Sequence, residues 1–302
     1  MLLARVTNIL MFVVVIVGFL VTETGSAQGC GRHWPLCEGQ FTPPFDLHGV
    51  VEYGHRFVSG LVGILVVWLA VWAWLRWGRR VEVRVLAVLM FLFTFIQAGL
   101  GAAAVLFPTA PAVLASHFGI SLVAFAGTFG LDLRLHQATG ANPQGGATAR
   151  APVPALMRRL VYAFAAYVFL LVYLGAYVSH TGTGMLCGQS WPLCSGQLWP
   201  HLAGQVWIPY LHRVAAAIAV LWALWLHLAF RSRTARWDLR RGSAWVLGLI
   251  LLQAFSGWYL VASSLALGAI MLHVTLMTLL FAAITYLVLE ILPGPWAAPD
   301  AA

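Results

Sequence analysis

An internal repeat is the feature that most constrains how this chain can fold. The segment 30–40, CGRHWPLCEGQ, returns at 187–197 as CGQSWPLCSGQ, identical at 8 of 11 positions and displaced by 157 residues. Further pairs at this offset, or at 156 after the loss of one residue, are His55-Arg56 with His212-Arg213, Gln97 with Gln253, and His117 with His273. A period this long indicates two copies of one structural unit. A residue present in only one copy is therefore a candidate for what distinguishes the halves.

The composition of the chain places both copies in a membrane. Hydrophobic residues make up 61% of the chain and charged residues 9%, and each half contains apolar runs long enough to cross about 30 Å of hydrocarbon as a helix. We predict an all-α integral membrane protein whose eight transmembrane helices form two tandem, pseudo-symmetric four-helix bundles. The predicted spans are 7–22, 49–76, 84–107, 111–134, 159–179, 206–230, 243–263 and 267–291.

A polar segment rich in glycine and proline separates the two halves. It predicts a cytoplasmic linker at 137–155 between an N-terminal half at 1–136 and a C-terminal half at 156–302. Residues 9–21 followed by Gly25-Ser26-Ala27 also have the pattern of a secretory signal. The repeat favours retention as a first helix, because this segment matches Tyr173–Gly182 within the chain.

The basic residues predict the topology. All of them are arginines, and outside the spans all but Arg32 fall on one side of the predicted helices. By the positive-inside rule both termini are cytoplasmic and both cysteine loops lie outside a multi-pass plasma-membrane protein. The net charge of +8 then favours membrane lipid headgroups as a partner. Nucleic acid is not a predicted partner, since no basic stretch interleaves with aromatic residues on a soluble domain.

Four histidines lie at matched depth inside the predicted spans. His55 and His212 are on the second and sixth helices, and His117 and His273 are on the fourth and eighth. At a rise of about 1.5 Å per residue, all four lie on the order of 10 Å below the outer surface. A single intramembrane histidine is often a packing residue, but two pairs at equal depth favour axial ligation of heme iron. Neither pair has the further ligands that zinc normally requires.

The arginine after each helix-two and helix-six histidine has two possible roles. Arg56 and Arg213 can pair with a heme propionate or extend to the membrane interface. The duplication of the His-Arg pair favours the propionate role. The remaining histidines are interpreted as structural or interfacial, with three of them in outer loops (His33, His180 and His201) and the others at His48, His136 and His227.

Glu52 is the residue that most clearly distinguishes the two copies, because its counterpart is Pro209. It precedes His55 by three residues and therefore shares its helical face. A carboxylate at this depth costs several kcal/mol unless it is protonated or paired. The structural alternative is a salt bridge to Arg56, and the functional alternative is an acid/base or proton-relay group beside a bound substrate.

The four cysteines form two pairs, each in a predicted outer loop. Thiols outside the cytoplasm oxidise, so Cys30–Cys37 and Cys187–Cys194 are most simply interpreted as disulfides within their loops. The spacing is not the C-x-x-C of thiol oxidoreductases. A redox role for the first pair and metal binding stay open as alternatives.

This combination of residues resembles the heme A synthase family over essentially the whole chain. The resemblance rests on EYGHR at 52–56, on His117, on His212-Arg213 and on His273, together with the two cysteine pairs. It implies that a ring methyl of heme O is oxidised to the formyl group of heme A by successive hydroxylation. It further implies that His55 and His117 hold heme O, that His212 and His273 ligate heme b, and that Glu52 is the catalytic carboxylate.

The resemblance also implies partners. Heme O would come from the membrane prenyltransferase that makes it, heme O synthase, and the electrons would pass to an acceptor that the sequence does not identify. Two alternatives use the same four histidines: a di-heme cytochrome for quinol electron transfer, and a heme transporter or chaperone. A membrane thiol oxidase is a third alternative, weakened by the absence of C-x-x-C.

Overall fold

The fold of the chain is all-helical. The computed structural model describes residues 1–107, 109–139 and 152–292. Among these residues there are eight helices, each long and apolar enough to span a membrane, and no β-strand longer than an isolated bridge. This confirms the predicted fold class, a multi-pass helical membrane protein. The helices are α1 Leu2–Glu23, α2 Leu47–Trp77, α3 Val81–Leu106, α4 Pro111–Thr139, α5 Ala155–His180, α6 Trp207–Arg233, α7 Trp237–Ala262 and α8 Leu267–Glu290.

Most helices are a few residues longer than the apolar runs that predict them. The largest difference is at α7, which begins at Trp237 rather than at 243. Helical hydrogen bonds continue past the hydrocarbon boundary, where polar side chains can be satisfied. Asp238 in the first turn of α7 is one such residue, since its carboxylate accepts a hydrogen bond from Arg236 at 2.7 Å. Hydropathy therefore locates the spans but underestimates the helices.

The helices group into two compact units. The first contains α1, α2, α3 and α4 from Ile120 onward, and the second contains Ala110–Gly119 at the start of α4 together with Val153–Ile291. The division into tandem, pseudo-symmetric halves stays a prediction. Of its linker, residues 140–151 lie outside the described residues, and residues 137–139 belong to α4.

In the first unit, α2 packs against both α1 and α3. The backbones of α3 and α4 also approach closely: a Cβ at Gly127 would lie 2.8 Å from the backbone nitrogen of Met90. In the second unit, α7 packs against α6 and α8, and α5 packs against α6 and α8. Each unit is thus held by helix-on-helix packing around buried aliphatic and aromatic side chains.

Acidic residues at the arginine-rich ends of the helices are paired. Buried Asp132 interacts with His136 at 2.9 Å and with Arg5 at 3.9 Å, and Arg134 lies 3.5 Å from Glu82. These pairs neutralise side chains that would otherwise be costly to bury.

Both cysteine loops have the same local fold. Disulfides join Cys30 to Cys37 and Cys187 to Cys194, and the Trp-Pro peptide bond inside each loop is cis. After the second cysteine the chain reverses through two residues with positive φ, which are 51° and 78° at Glu38-Gly39 and 51° and 76° at Ser195-Gly196. Consecutive left-handed residues define the tight hairpin turn that favours glycine at its second position. The repeated motif therefore encodes one loop structure in both places.

Candidate functional site

Helix α2 presents Glu52, His55 and Arg56 within two turns. Its first turn is capped by Asp46, which accepts a hydrogen bond from the backbone nitrogen of Gly49 at 2.7 Å. Glu52 is 3% exposed. Its Oε1 accepts from Arg56 Nη2 at 2.5 Å, and its Oε2 accepts from the backbone N–H of Cys30 at 2.8 Å. The salt bridge offered by the structural alternative is therefore present, and an additional bond ties the carboxylate to the first disulfide.

The two arginines anchor the cysteine loops. Arg56 Nη1 donates to the carbonyls of His33 at 2.7 Å and Leu36 at 2.9 Å. Arg213 Nη1 donates in the same way to the carbonyls of Ser190 and Leu193. Sequence reasoning did not predict this role. The sequence did contain a sign of this role, because each copy of the repeat has both the arginine and the cysteine loop that the arginine binds.

The arginines differ in how many donors these contacts use. In Arg56 the second terminal nitrogen is bound by Glu52. Arg213 Nη2 is buried, and no hydrogen-bond acceptor for it lies within the part of the chain that the structure describes. Pro209, which replaces Glu52 in the second copy, has no side-chain acceptor to offer it. Arg213 therefore keeps a buried donor for a further anionic group.

A glycine on the preceding helix lies against the histidine of α2 and of α6. A Cβ at Gly18 in α1 would lie 2.9 Å from His55 Cε1, and a Cβ at Gly175 in α5 would lie 2.9 Å from His212 Cε1. No real Cβ tolerates such a distance without movement of its neighbour. Each imidazole can therefore occupy its position only because the residue facing it on the preceding helix is a glycine. Sequence reasoning missed these glycines, although they share the 157-residue offset of the repeat.

His273 has the most fully defined environment of the four predicted ligands. Its Nδ1 lies 2.8 Å from Ser256 Oγ and its Nε2 lies 2.9 Å from Gln253 Nε2, both on α7. His273 and His212 lie within range of electrostatic interaction. The structure therefore brings this predicted pair together in the second unit.

The predicted pairing of His55 with His117 stays a prediction. His55 is on α2 in the first unit, whereas His117 is in the Ala110–Gly119 segment that groups with the second unit. His117 interacts electrostatically with His180. The prediction that His180 lies in a loop is wrong: it is the last residue of α5 and is partly buried, because the helix continues beyond its apolar run.

The other histidines have structural contacts or are exposed. His48 Nδ1 lies 3.1 Å from Ser26 Oγ, and His227 Nδ1 lies 3.1 Å from Ser243 Oγ on α7. His33 and His201 are exposed. The structural interpretation of His227 is supported by its bond between α6 and α7.

Comparison with known proteins gives consistent matches over nearly the whole chain. Residues 45–285 match the family model COX15-CtaA, described as cytochrome oxidase assembly protein. A heme A synthase of Symbiobacterium thermophilum is 41% identical over 285 residues, covering 94% of this chain and 92% of that protein. Heme A synthases of Bacillus licheniformis and Geobacillus kaustophilus are each 37% identical, covering 95% of this chain and 94% and 89% of those proteins.

The contact between Gly175 and His212 predicts a stability effect. Gly175→Ala should destabilise the protein by about 1–3 kcal/mol, because the new methyl group overpacks the imidazole. Thermal unfolding of the purified protein in detergent measures the change. Gly248→Ala in α7, where a Cβ meets nothing within 4 Å, is the matched control and should be neutral or slightly stabilising. Equal unfolding temperatures for the two variants would contradict the close contact.

Proposed function

Since the chain belongs to the COX15-CtaA family of cytochrome oxidase assembly proteins, we propose a division of labour among its residues in heme A synthesis. Its full-length relatives are heme A synthases. The protein is accordingly a membrane oxidoreductase of heme A biosynthesis that converts heme O to heme A, and heme is part of its chemistry. Neither the di-heme cytochrome nor the heme transporter is favoured by these relatives.

The second unit is proposed to hold a resident heme b through His212 and His273. The residues present fit this group in three respects. The two histidines lie near each other, Gly175 leaves room for the His212 ring, and Arg213 has a buried donor available for a propionate. When bound, the heme supplies one-electron chemistry that side chains cannot perform. In this half the side chains would ligate the heme iron, orient the ligand rings and neutralise a propionate.

The N-terminal half of the sequence, residues 1–136, is proposed to supply the chemistry of the substrate site. His55 and His117 correspond through the repeat to the heme b ligands, which supports their assignment as ligands of heme O. Arg56 is a weaker propionate partner than Arg213, because both of its terminal nitrogens already bind loop carbonyls or a carboxylate and only its Nε is left as a buried donor. The first half therefore has the same ligand types, but the terminal nitrogens of its arginine are occupied.

Glu52 is proposed as the catalytic carboxylate, and the observation that carries this role is its burial beside His55 in only one of the two copies. Conversion of a methyl group to a formyl group withdraws electrons and releases protons. An acceptor for those protons must lie near the reacting group within a low-dielectric site. Glu52 is an acidic side chain on the same helical face as His55. The Arg56 and Cys30 contacts fix where each of its oxygens points.

The membrane topology of the enzyme and the source of its substrate follow from the same assignments. The termini are proposed to be cytoplasmic and the disulfide loops to lie outside the plasma membrane, as the arginine distribution indicates. Heme O is then received within the bilayer from the prenyltransferase that makes it, and the electrons pass to an acceptor that the sequence does not identify. Both disulfides stabilise their loops, and the first also supplies the amide that binds Glu52.

The proposed reaction predicts which porphyrins accompany the protein. Protein purified from cells that also make heme O should carry heme b together with heme O, its hydroxylated form or heme A. Extraction and chromatography of the porphyrins identifies each species. Heme b alone, near two per chain, would instead support the di-heme cytochrome.

The role of Glu52 is tested by Glu52→Gln, which keeps the shape of the side chain and an acceptor for the Cys30 amide. We expect heme A formation to fall at least about 100-fold, the lower range for loss of a general acid–base group, while resident heme b is retained. The heme A to heme O ratio in extracted porphyrins is the measurement. Glu38→Gln, an exposed carboxylate in the adjacent loop, is the control and should be unchanged. Normal heme A output from Glu52→Gln would remove the residue from the mechanism.

The assignment of the resident heme is tested by His273→Ala, which removes one of its two proposed ligands. The purified variant should lose most of its heme b, measured as pyridine hemochrome per polypeptide. The matched control is His227→Ala, which removes an intramembrane histidine of the same unit that bonds to Ser243. Undiminished heme b in His273→Ala would overturn the assignment of the two halves.

A further inference from the structure

The environment of His273 contains an ordered set of hydrogen bonds that the ligand assignment does not by itself require. Ser256 is fully buried on α7, with its hydroxyl 2.8 Å from His273 Nδ1. The same hydroxyl donates to the backbone carbonyl of Gln253 at 2.9 Å. A serine hydroxyl has one hydrogen and can accept through its lone pairs. With its hydrogen bound to the carbonyl, Oγ is an acceptor toward the imidazole.

The other ring nitrogen of His273, Nε2, has a donor rather than an acceptor as its neighbour. His273 Nε2 lies 2.9 Å from the amide nitrogen of Gln253, and an amide NH₂ can only donate. With the Gln253 amide in this orientation, Nδ1 carries the ring proton and Nε2 carries the lone pair. That tautomer is the one in which Nε2 can ligate a metal. The Gln253 amide occupies the direction in which an iron atom would bind.

Resting on the proposed function, in which His273 ligates heme b, we propose that Ser256 is a positioning residue that sets the tautomer and the ring orientation of that ligand. A metal-binding histidine commonly donates its other N–H to an acceptor that fixes the ring and raises its basicity. Here the acceptor is a hydroxyl whose own hydrogen is held by the helix backbone. A bound heme would require Gln253 to give up its contact with Nε2, whereas the bond from Ser256 to Nδ1 would remain.

The repeat shows that this support belongs to one half of the molecule. At the offset of 156 that pairs His117 with His273, Ser256 corresponds to Leu100, whose side chain has no hydrogen-bonding atom. Gln97, the counterpart of Gln253, accepts from Ser121 at 3.0 Å, and Ser121 in turn corresponds to Met277. The polar contacts around the equivalent glutamines therefore differ. A ligand fixed through Ser256 suits a heme that stays in place.

Electron donation from the imidazole gives the proposal a measurable consequence. An acceptor on Nδ1 strengthens donation from Nε2 and favours the ferric state, so loss of the acceptor should raise the midpoint potential of the heme. Ser256→Ala should therefore shift the potential of the His273-dependent heme to more positive values. It should also weaken heme retention about 10- to 100-fold. Ser256→Thr, which keeps a hydroxyl at the same position, should return both properties toward those of the unmodified protein.

The control removes a comparable hydroxyl that does not contact the histidine. Thr278 on α8 is fully buried and bonds to the backbone carbonyl of Val274 at 2.9 Å. Thr278→Val should leave both potential and heme content unchanged. The full-length protein is purified from cells that do not make heme O, titrated electrochemically and assayed for pyridine hemochrome. Comparison with His273→Ala identifies the heme that depends on His273.

The outcomes separate this inference from the function on which it rests. A positive shift in Ser256→Ala that Ser256→Thr reverses, with Thr278→Val unchanged, supports the positioning role. An unchanged potential and heme content in Ser256→Ala overturns it while leaving the heme b assignment intact. Equal heme loss in Ser256→Ala and Thr278→Val also overturns it, because the effect would then be one of packing. Full heme retention by His273→Ala rejects the ligand assignment and the positioning role together.

Discussion

The membrane interior provides no water, and the arrangement of polar side chains in this protein follows from that constraint. Each buried polar group must find a partner within the protein or cost several kcal/mol. Glu52 meets this requirement through Arg56 and the Cys30 amide. His273 meets it through Ser256 and Gln253. These hydrogen bonds also orient the side chains. The contacts that make burial of Glu52 and His273 possible are therefore the ones that position them.

Arg56 and Arg213 connect the residues within the predicted spans to the cysteine loops. Arg56 follows His55 directly and holds two carbonyls of the first cysteine loop. The disulfide closes that loop, and the loop returns a backbone amide to Glu52. Protonation of Glu52 would weaken its ion pair and so alter a contact shared with the loop. The position of the proposed catalytic carboxylate is thus tied to a covalently closed segment outside the hydrocarbon.

The two copies of the sequence repeat share several local structures, and a few substitutions distinguish them. The loop turns, the loop-binding arginines and the glycines facing His55 and His212 occur at matching positions in both copies. The differences concern hydrogen bonding: Glu52 against Pro209, and Ser256 against Leu100. The first adds a carboxylate where the substrate is proposed to react. The second adds an acceptor where a heme is proposed to stay.

The sequence alone determined the spans, the helical class, the placement of four histidines on α2, α4, α6 and α8, and the asymmetry of Glu52. These follow from hydropathy and from the offset between two copies, both of which are readable along the chain. Only the tertiary structure decided what each polar group binds. Arg56 binds backbone carbonyls, and because every residue has a carbonyl, a sequence motif cannot identify this partner. Gly18 is important because an imidazole from another helix lies against it. Such partners depend on which helix faces meet, and that is decided by packing between segments far apart in the chain.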